Sequence, residues 1–163
     1  MFLIGSQAAR LIGCLPEWRG GRVQDADLVV RKHDRDWLLG QLEPDTVACR
    51  VFPEFPDRTY VLMQSGLLLD VQANDDYADL LGALPDNAYF SLFGRALSVI
   101  SGLTQLCIKS AYAHLPIHRS KNDRDIAAWR DVFDIDLATS FHQAVVDHVT
   151  RAASSTLENQ SDH

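Results

Sequence analysis

Five short apolar segments constrain this chain most: Phe2–Ile4, Ala26–Val30, Thr46–Phe52, Thr59–Met63 and Leu67–Val71. Each is bounded by Gly, Pro, Asp, Ser or charged residues, and most are rich in β-branched or aromatic side chains. That pattern predicts strands, the first of them a buried run ending at Gly5. Ser65-Gly66 is a tight-turn signal between Tyr60–Met63 and Leu67–Val71, which predicts a hairpin. Ser6 reads as the N-cap of a helix carrying Ala8, Leu11, Ile12 and Leu15 at helical spacing. Pro16 and Gly20-Gly21 close that helix and open a loop with Arg19 and Arg22. Asp36–Leu42 reads as a short helix. The first half is therefore expected to run β-α-β-(α)-β-β-β, a mixed sheet with helices on a face.

Beyond about residue 75 the pattern turns helical. Phe93, Leu97, Ile100, Leu103 and Cys107 form an apolar stripe that predicts a helix over Leu92–Ala113. Ile126, Trp129 and Phe133 mark a second helix over Asp123–Phe133, and Leu137, Phe141 and Val145 a last one. Expected boundaries are a sheet core over 1–74, a helical subdomain over 75–151 and a flexible polar tail over 152–163. The expected class is α+β, a mixed sheet followed by a C-terminal helical subdomain.

Composition narrows the function. With 163 residues, 47% hydrophobic and 23% charged, the chain has the make-up of one ordinary globular domain, not of a disordered or fibrous chain. No apolar run reaches membrane-spanning length, so no membrane partner is expected. Met1–Ile4 is too short and lacks the basic flank of a signal peptide, so a cytoplasmic location is expected. A formal net charge of −7 makes non-specific DNA binding unfavourable, because that affinity comes from Lys and Arg. Cys14, Cys49 and Cys107 are odd in number and far apart, which predicts reduced, mostly core thiols.

Four D-x-D triplets occur, so context must choose among them: Asp25/Asp27, Asp34/Asp36, Asp123/Asp125 and Asp134/Asp136. Asp25 and Asp27 open a strand, where residues i and i+2 share a face and their charges converge. A divalent cation, Mg²⁺ or Mn²⁺, relieves that repulsion most naturally; a solvated strand edge is the plainer reading. Asp70 lies inside the apolar run Leu69-Asp70-Val71, where a charge is costly to bury and needs a reason. The other triplets have simpler accounts: a polar loop and helix cap for Asp34/Asp36, the helix dipole for Asp123/Asp125, N-capping for Asp134/Asp136. Gly5-Ser6 at a strand-to-helix junction can hold a phosphate, though such a pair is also an ordinary cap.

The order Ile4-Gly5-Ser6, Asp25-Ala26-Asp27-Leu28, Leu69-Asp70-Val71 resembles the nucleotidyltransferase superfamily of the DNA polymerase beta type. Within it the chain is most similar to small stand-alone nucleotidyltransferases of phage genomes. Lys109-Ser110 and Lys121-Asn122-Asp123-Arg124-Asp125-Ile126 resemble that group's later Lys-Ser and Lys-x-x-x-Asp-Ile elements. The resemblance covers residues 1–72, and 105–130 more loosely. It implies a nucleotidyltransferase core and transfer of a nucleoside monophosphate from an NTP to an acceptor hydroxyl on an RNA end, a protein or a small molecule. It also implies that Asp25, Asp27 and Asp70 bind Mg²⁺ or Mn²⁺, with Asp70 helping to activate the acceptor. A phage-encoded chain would work in the host cytoplasm.

The remaining phosphate charge calls for cations. Lys109, Arg119, Lys121 and Arg124, with His114 and His118 nearby, form the most basic stretch of the second half. The functional reading has Lys109 or Lys121 touching the triphosphate or an RNA acceptor. A solvated helix face explains them equally, and for the Arg19/Arg22 loop a plain solvated surface is the favoured account. Pro116 separates His114 from His118, and His142 and His148 do not share a helical face, so zinc is not expected. P-loop, dinucleotide and nucleophile-elbow motifs are missing from the sequence. The alternative to an enzyme is a catalytically inactive relative that binds nucleotide or protein. A third reading, an accessory phage protein without a ligand, requires Asp70 to be exposed and far from Asp25.

Overall fold

In the computed structural model the described residues are all but 22, 24, 114, 116, 117, 162 and 163, together with the side chains of 155–161. Arg22, His114 and Pro116 thus lie outside them. The described chain divides into two compact units, Met1–Ser101 and the residues from Gly102 on.

The first unit is built on one seven-stranded sheet. Its strands are β1 (Phe2–Ile4), β2 (Asp25–Val30), β3 (Thr46–Phe52), β4 (Phe55–Met63), β5 (Leu68–Ala73), β6 (Ala88–Leu92) and β7 (Arg95–Val99). They lie in the order β3-β4-β5-β2-β1-β7-β6. The sheet is mixed: β2 runs parallel to β5 and β1 to β7, and the other neighbours are antiparallel. Helices α1 (Gly5–Leu11), α2 (Lys32–Leu42) and α3 (Asp75–Gly82) connect strands.

Period-two alternation sets the two faces. Ala26, Leu28 and Val30 on β2 and Leu69, Val71 and Ala73 on β5 are buried. Helix α2 packs against β5 and α3 against β2, adding Leu38, Leu42, Ala78 and Leu81 to the core. The intervening positions Asp25, Asp27, Asp70 and Gln72 therefore belong to the opposite face.

The second unit is helical: α4 (Gly102–Tyr112), α5 (Ser120–Arg130) and α6 (Ser140–Ser161). Leu106, Ile126, Trp129, Val145 and Val149 are buried in it. Asp134 caps a short 3-10 turn, accepting the backbone N–H of Asp136, as N-capping predicts.

Three expectations are corrected. The stripe over Leu92–Ala113 is not one helix: Ala88–Leu92 and Arg95–Val99 form a hairpin, and the helix begins at Gly102. The turn at Phe93-Gly94, both at positive φ, breaks the helical run, and β7 finds a parallel partner in β1. Consequently the first unit runs to Ser101 rather than ending at residue 74, and α3, unforeseen, belongs to it. Finally, the backbone of residues 152–161 continues α6 rather than forming a tail. Among the described residues, no helix is long and apolar enough to cross a membrane.

Candidate functional site

Asp27 and Asp70 are direct register partners on the parallel strands β2 and β5. Parallel partners point to the same side of the sheet, so the topology brings together two carboxylates 43 residues apart in the chain. Asp25, two positions before Asp27, shares their face opposite Leu68. Its charge reaches Asp70 and helps hold that carboxyl's proton on. The ligand-free accessory reading, which needs Asp70 exposed and remote from Asp25, does not survive this placement.

The Asp70 side chain is only 17% exposed. Burial pushes its carboxyl above the ordinary carboxylate range and Asp25 pushes the same way, against the Arg58 guanidinium and the Tyr60 hydroxyl. Arg58 Nη1 donates to Asp70 Oδ2 at 3.3 Å. Oδ1 is buried with no hydrogen-bond partner. A buried carboxylate oxygen left unmatched carries a desolvation cost that a ligand or cation would remove.

Gly5 shapes the other side. Its φ of +71° is a conformation that L side chains rarely adopt, and a Cβ placed on it would stand 2.1 Å from Asp27 Oδ2. Asp27 faces Ile4 across the β1–β2 pair, so the β1–α1 junction and the Asp27 carboxylate occupy one spot. Ser6 is placed differently from expectation. Helix α1 begins at Gly5 with Ile4 in the capping position, and Ser6 is a buried residue of the first turn. No side-chain cap bond forms at Ile4.

The aspartates are aligned, but not closed into a cage. Among the described residues, no group of three or more His, Cys, Asp or Glu side chains stands ready to hold a metal ion. Arg58 engages Asp70, Asp27 turns toward Gly5, and Asp25 is exposed at the start of its strand. The donor chemistry nonetheless suits a hard divalent cation: three carboxylates on one face, two of them register partners, one with an unmatched oxygen.

In the helical unit Lys109 is engaged elsewhere. Its Nζ lies 3.0 Å from Asp125 Oδ2, donates to Asn122 Oδ1 at 3.2 Å and sits 5.8 Å from the Trp129 ring centre. Asp125 is fully buried, so the second acid of Asp123/Asp125 serves this pair rather than the helix dipole. Asp123, in the first turn of α5, meets His118 Nε2 at 2.6 Å. Lys121 lies in that same first turn and is exposed. Arg58 and Tyr60 were not singled out by sequence reading. Alternation along β4 was available as a signal for both, since Tyr60 lies directly across from Asp70.

No family model matches the sequence, and no curated protein matches it. Solved structures similar to it include these two. One is the lincosamide antibiotic adenylyltransferase LnuA with lincomycin bound, 17% identical over 81% of this chain and 86% of that one, with a TM-score of 0.49. The other is an antigenic nucleotidyltransferase-like protein from Paracoccidioides brasiliensis, 16% identical over 96% of this chain and 83% of that one, with a TM-score of 0.48.

Proposed function

We propose that this chain is a metal-dependent nucleotidyltransferase that moves a nucleoside monophosphate from an NTP to an acceptor hydroxyl. The observation that carries the reading is the pairing of Asp27 with Asp70 on parallel strands, with Asp25 on the same face. Asp25, Asp27 and Asp70 would hold Mg²⁺ or Mn²⁺, which when bound offsets their charge and that of the phosphates and makes a nearby hydroxyl more acidic. The acceptor oxygen bonds to the α-phosphorus while the bond from that phosphorus to the oxygen bridging the β-phosphate breaks. Pyrophosphate leaves. The hydroxyl proton passes to Asp70, whose Oδ1 is without a hydrogen-bond partner. Gly5 leaves room for the Asp27 carboxylate, and Gly5-Ser6 opens α1 where the phosphate tail would be met.

One observation favours a second reading, a catalytically inactive binding module of the same fold. Arg58 already places a cation on Asp70. One experiment separates the two: the protein is incubated with labelled NTPs, Mg²⁺ and a cell lysate, alongside Asp25→Asn and Asp27→Asn. Label on an acceptor with the wild type, lost in both folded variants, supports the enzyme. Normal transfer by either variant overturns the assigned roles. A thermal shift with ATP and Mg²⁺, abolished by EDTA, without any transfer, supports the binding module.

A further inference from the structure

The aspartates belong to a longer row. Ile4 faces Asp27, Asp27 pairs with Asp70, Asp70 faces Tyr60, and Tyr60 faces Arg50. One line of side chains on one face thus crosses β1, β2, β5, β4 and β3. At its Tyr60–Arg50 end lies an open cavity of about 510 Å³, lined by Arg50, Phe52, Phe55, Tyr60 and Leu68. Leu68 is the register partner of Asp25, so the cavity and the aspartates adjoin along two strands.

The walls are mostly aromatic. Phe52 and Tyr60 meet edge to face, with ring centres 5.4 Å apart and planes at 80°. The Arg50 guanidinium lies 4.3 Å from the Phe52 ring centre. Among the described residues no carboxylate stands within ion-pair distance of Arg50. Volume and lining, mostly aromatic or aliphatic with one charged group, fall in the range of small-molecule sites, with one side open to solvent. Along the row, Asp70 and Arg50 are two strand spacings apart, about 10 Å.

We propose that this cavity is the acceptor subsite, and that the acceptor is a small, flat, two-ring molecule with a hydroxyl at one end and an anionic group at the other. The proposal rests on the transferase reading above. Asp70 is the row's neighbour on the hydroxyl end, the Phe52, Phe55 and Tyr60 rings hold the flat body, and Arg50 takes the anion. The acceptor oxygen then gains the nucleoside monophosphate as pyrophosphate leaves.

The probe is 7-hydroxycoumarin-3-carboxylate, a fluorescent two-ring phenol with a carboxylate. Its binding to the full chain is followed by anisotropy without NTP or metal, so catalysis plays no part. Saturable binding is expected, weakened at least about tenfold by Arg50→Ala and by Phe52→Leu. Tyr89→Ser, at an exposed position on β6, is expected to leave it unchanged. Arg50 is exposed, so its replacement leaves the core intact. Absent or non-saturable binding, or equal binding by both variants, overturns the subsite; label transfer to lysate components decides the transferase reading separately. Binding that depends on Arg50 and Phe52 without label reaching the coumarin, in a protein that labels other acceptors, overturns the acceptor role. Sedimentation showing a dimer that the same variants dissolve assigns the cavity to a second copy and also overturns it.

Discussion

A methyl group on Gly5 would stand 2.1 Å from Oδ2 of Asp27, inside any permissible contact. The glycine is thus tied to the aspartate as well as to its own φ of +71°. Gly5→Ala is expected to cost at least about 1–2 kcal/mol from the left-handed backbone alone, plus the displacement of Asp27. Adding Asp27→Ala removes the collision but not the backbone strain, so the double variant should be more stable than the sum of the singles predicts. Urea unfolding of the four proteins measures this. Strict additivity would show that the two residues do not share the space.

Asp70 couples stability to pH. Its carboxyl is held above the ordinary 3.8, first by burial. A raised acid favours the folded state fully while both states are protonated, below 3.8. That contribution fades as pH rises through the folded-state pKa, because the unfolded chain has by then given up the proton at less cost. Asp70→Asn removes the penalty. The variant should melt higher than the wild type at neutral pH, with the difference shrinking toward about pH 3. A variant that melts lower at neutral pH would mean that the Arg58–Asp70 pair outweighs desolvation.

The strands of the first 73 residues were legible because alternation and turn residues act locally. Asp25–Val30, Thr46–Phe52 and the Ser65-Gly66 hairpin lie where β-branched runs and Gly placed them. That Asp27 and Asp70 meet was not local, since a parallel register depends on which strands become neighbours. It came from the cost of putting Asp70 inside an apolar run, a cost the structure shows as an unmatched oxygen. The hairpin Ala88–Val99 was hidden because Leu97 and Ile100 fit a helical stripe as well as a buried strand and its exit. Only pairing with β1 decides between them, and pairing is tertiary. Asp125 was misjudged for a like reason: an acid near a helix start looks like a dipole partner until the helix facing it presents a lysine.

That lysine gives the last prediction. Lys109 is 14% exposed and Asp125 not at all, with 3.0 Å between Nζ and Oδ2. Two charges withdrawn from water stabilise each other at this distance, so removing one takes a close ion-pair partner from the other. Lys109→Met should destabilise the protein by about 3–5 kcal/mol, whereas Lys109→Met with Asp125→Leu should recover most of the loss. Asn122 and Trp129 also touch Lys109, so its replacement carries a packing cost that the second change does not return. Chemical unfolding of wild type, both singles and the double resolves the coupling. A single variant within about 1 kcal/mol of wild type would mean that water reaches Asp125 on loss of the lysine. A double as unstable as the sum of the singles would show that the two charges do not stabilise each other.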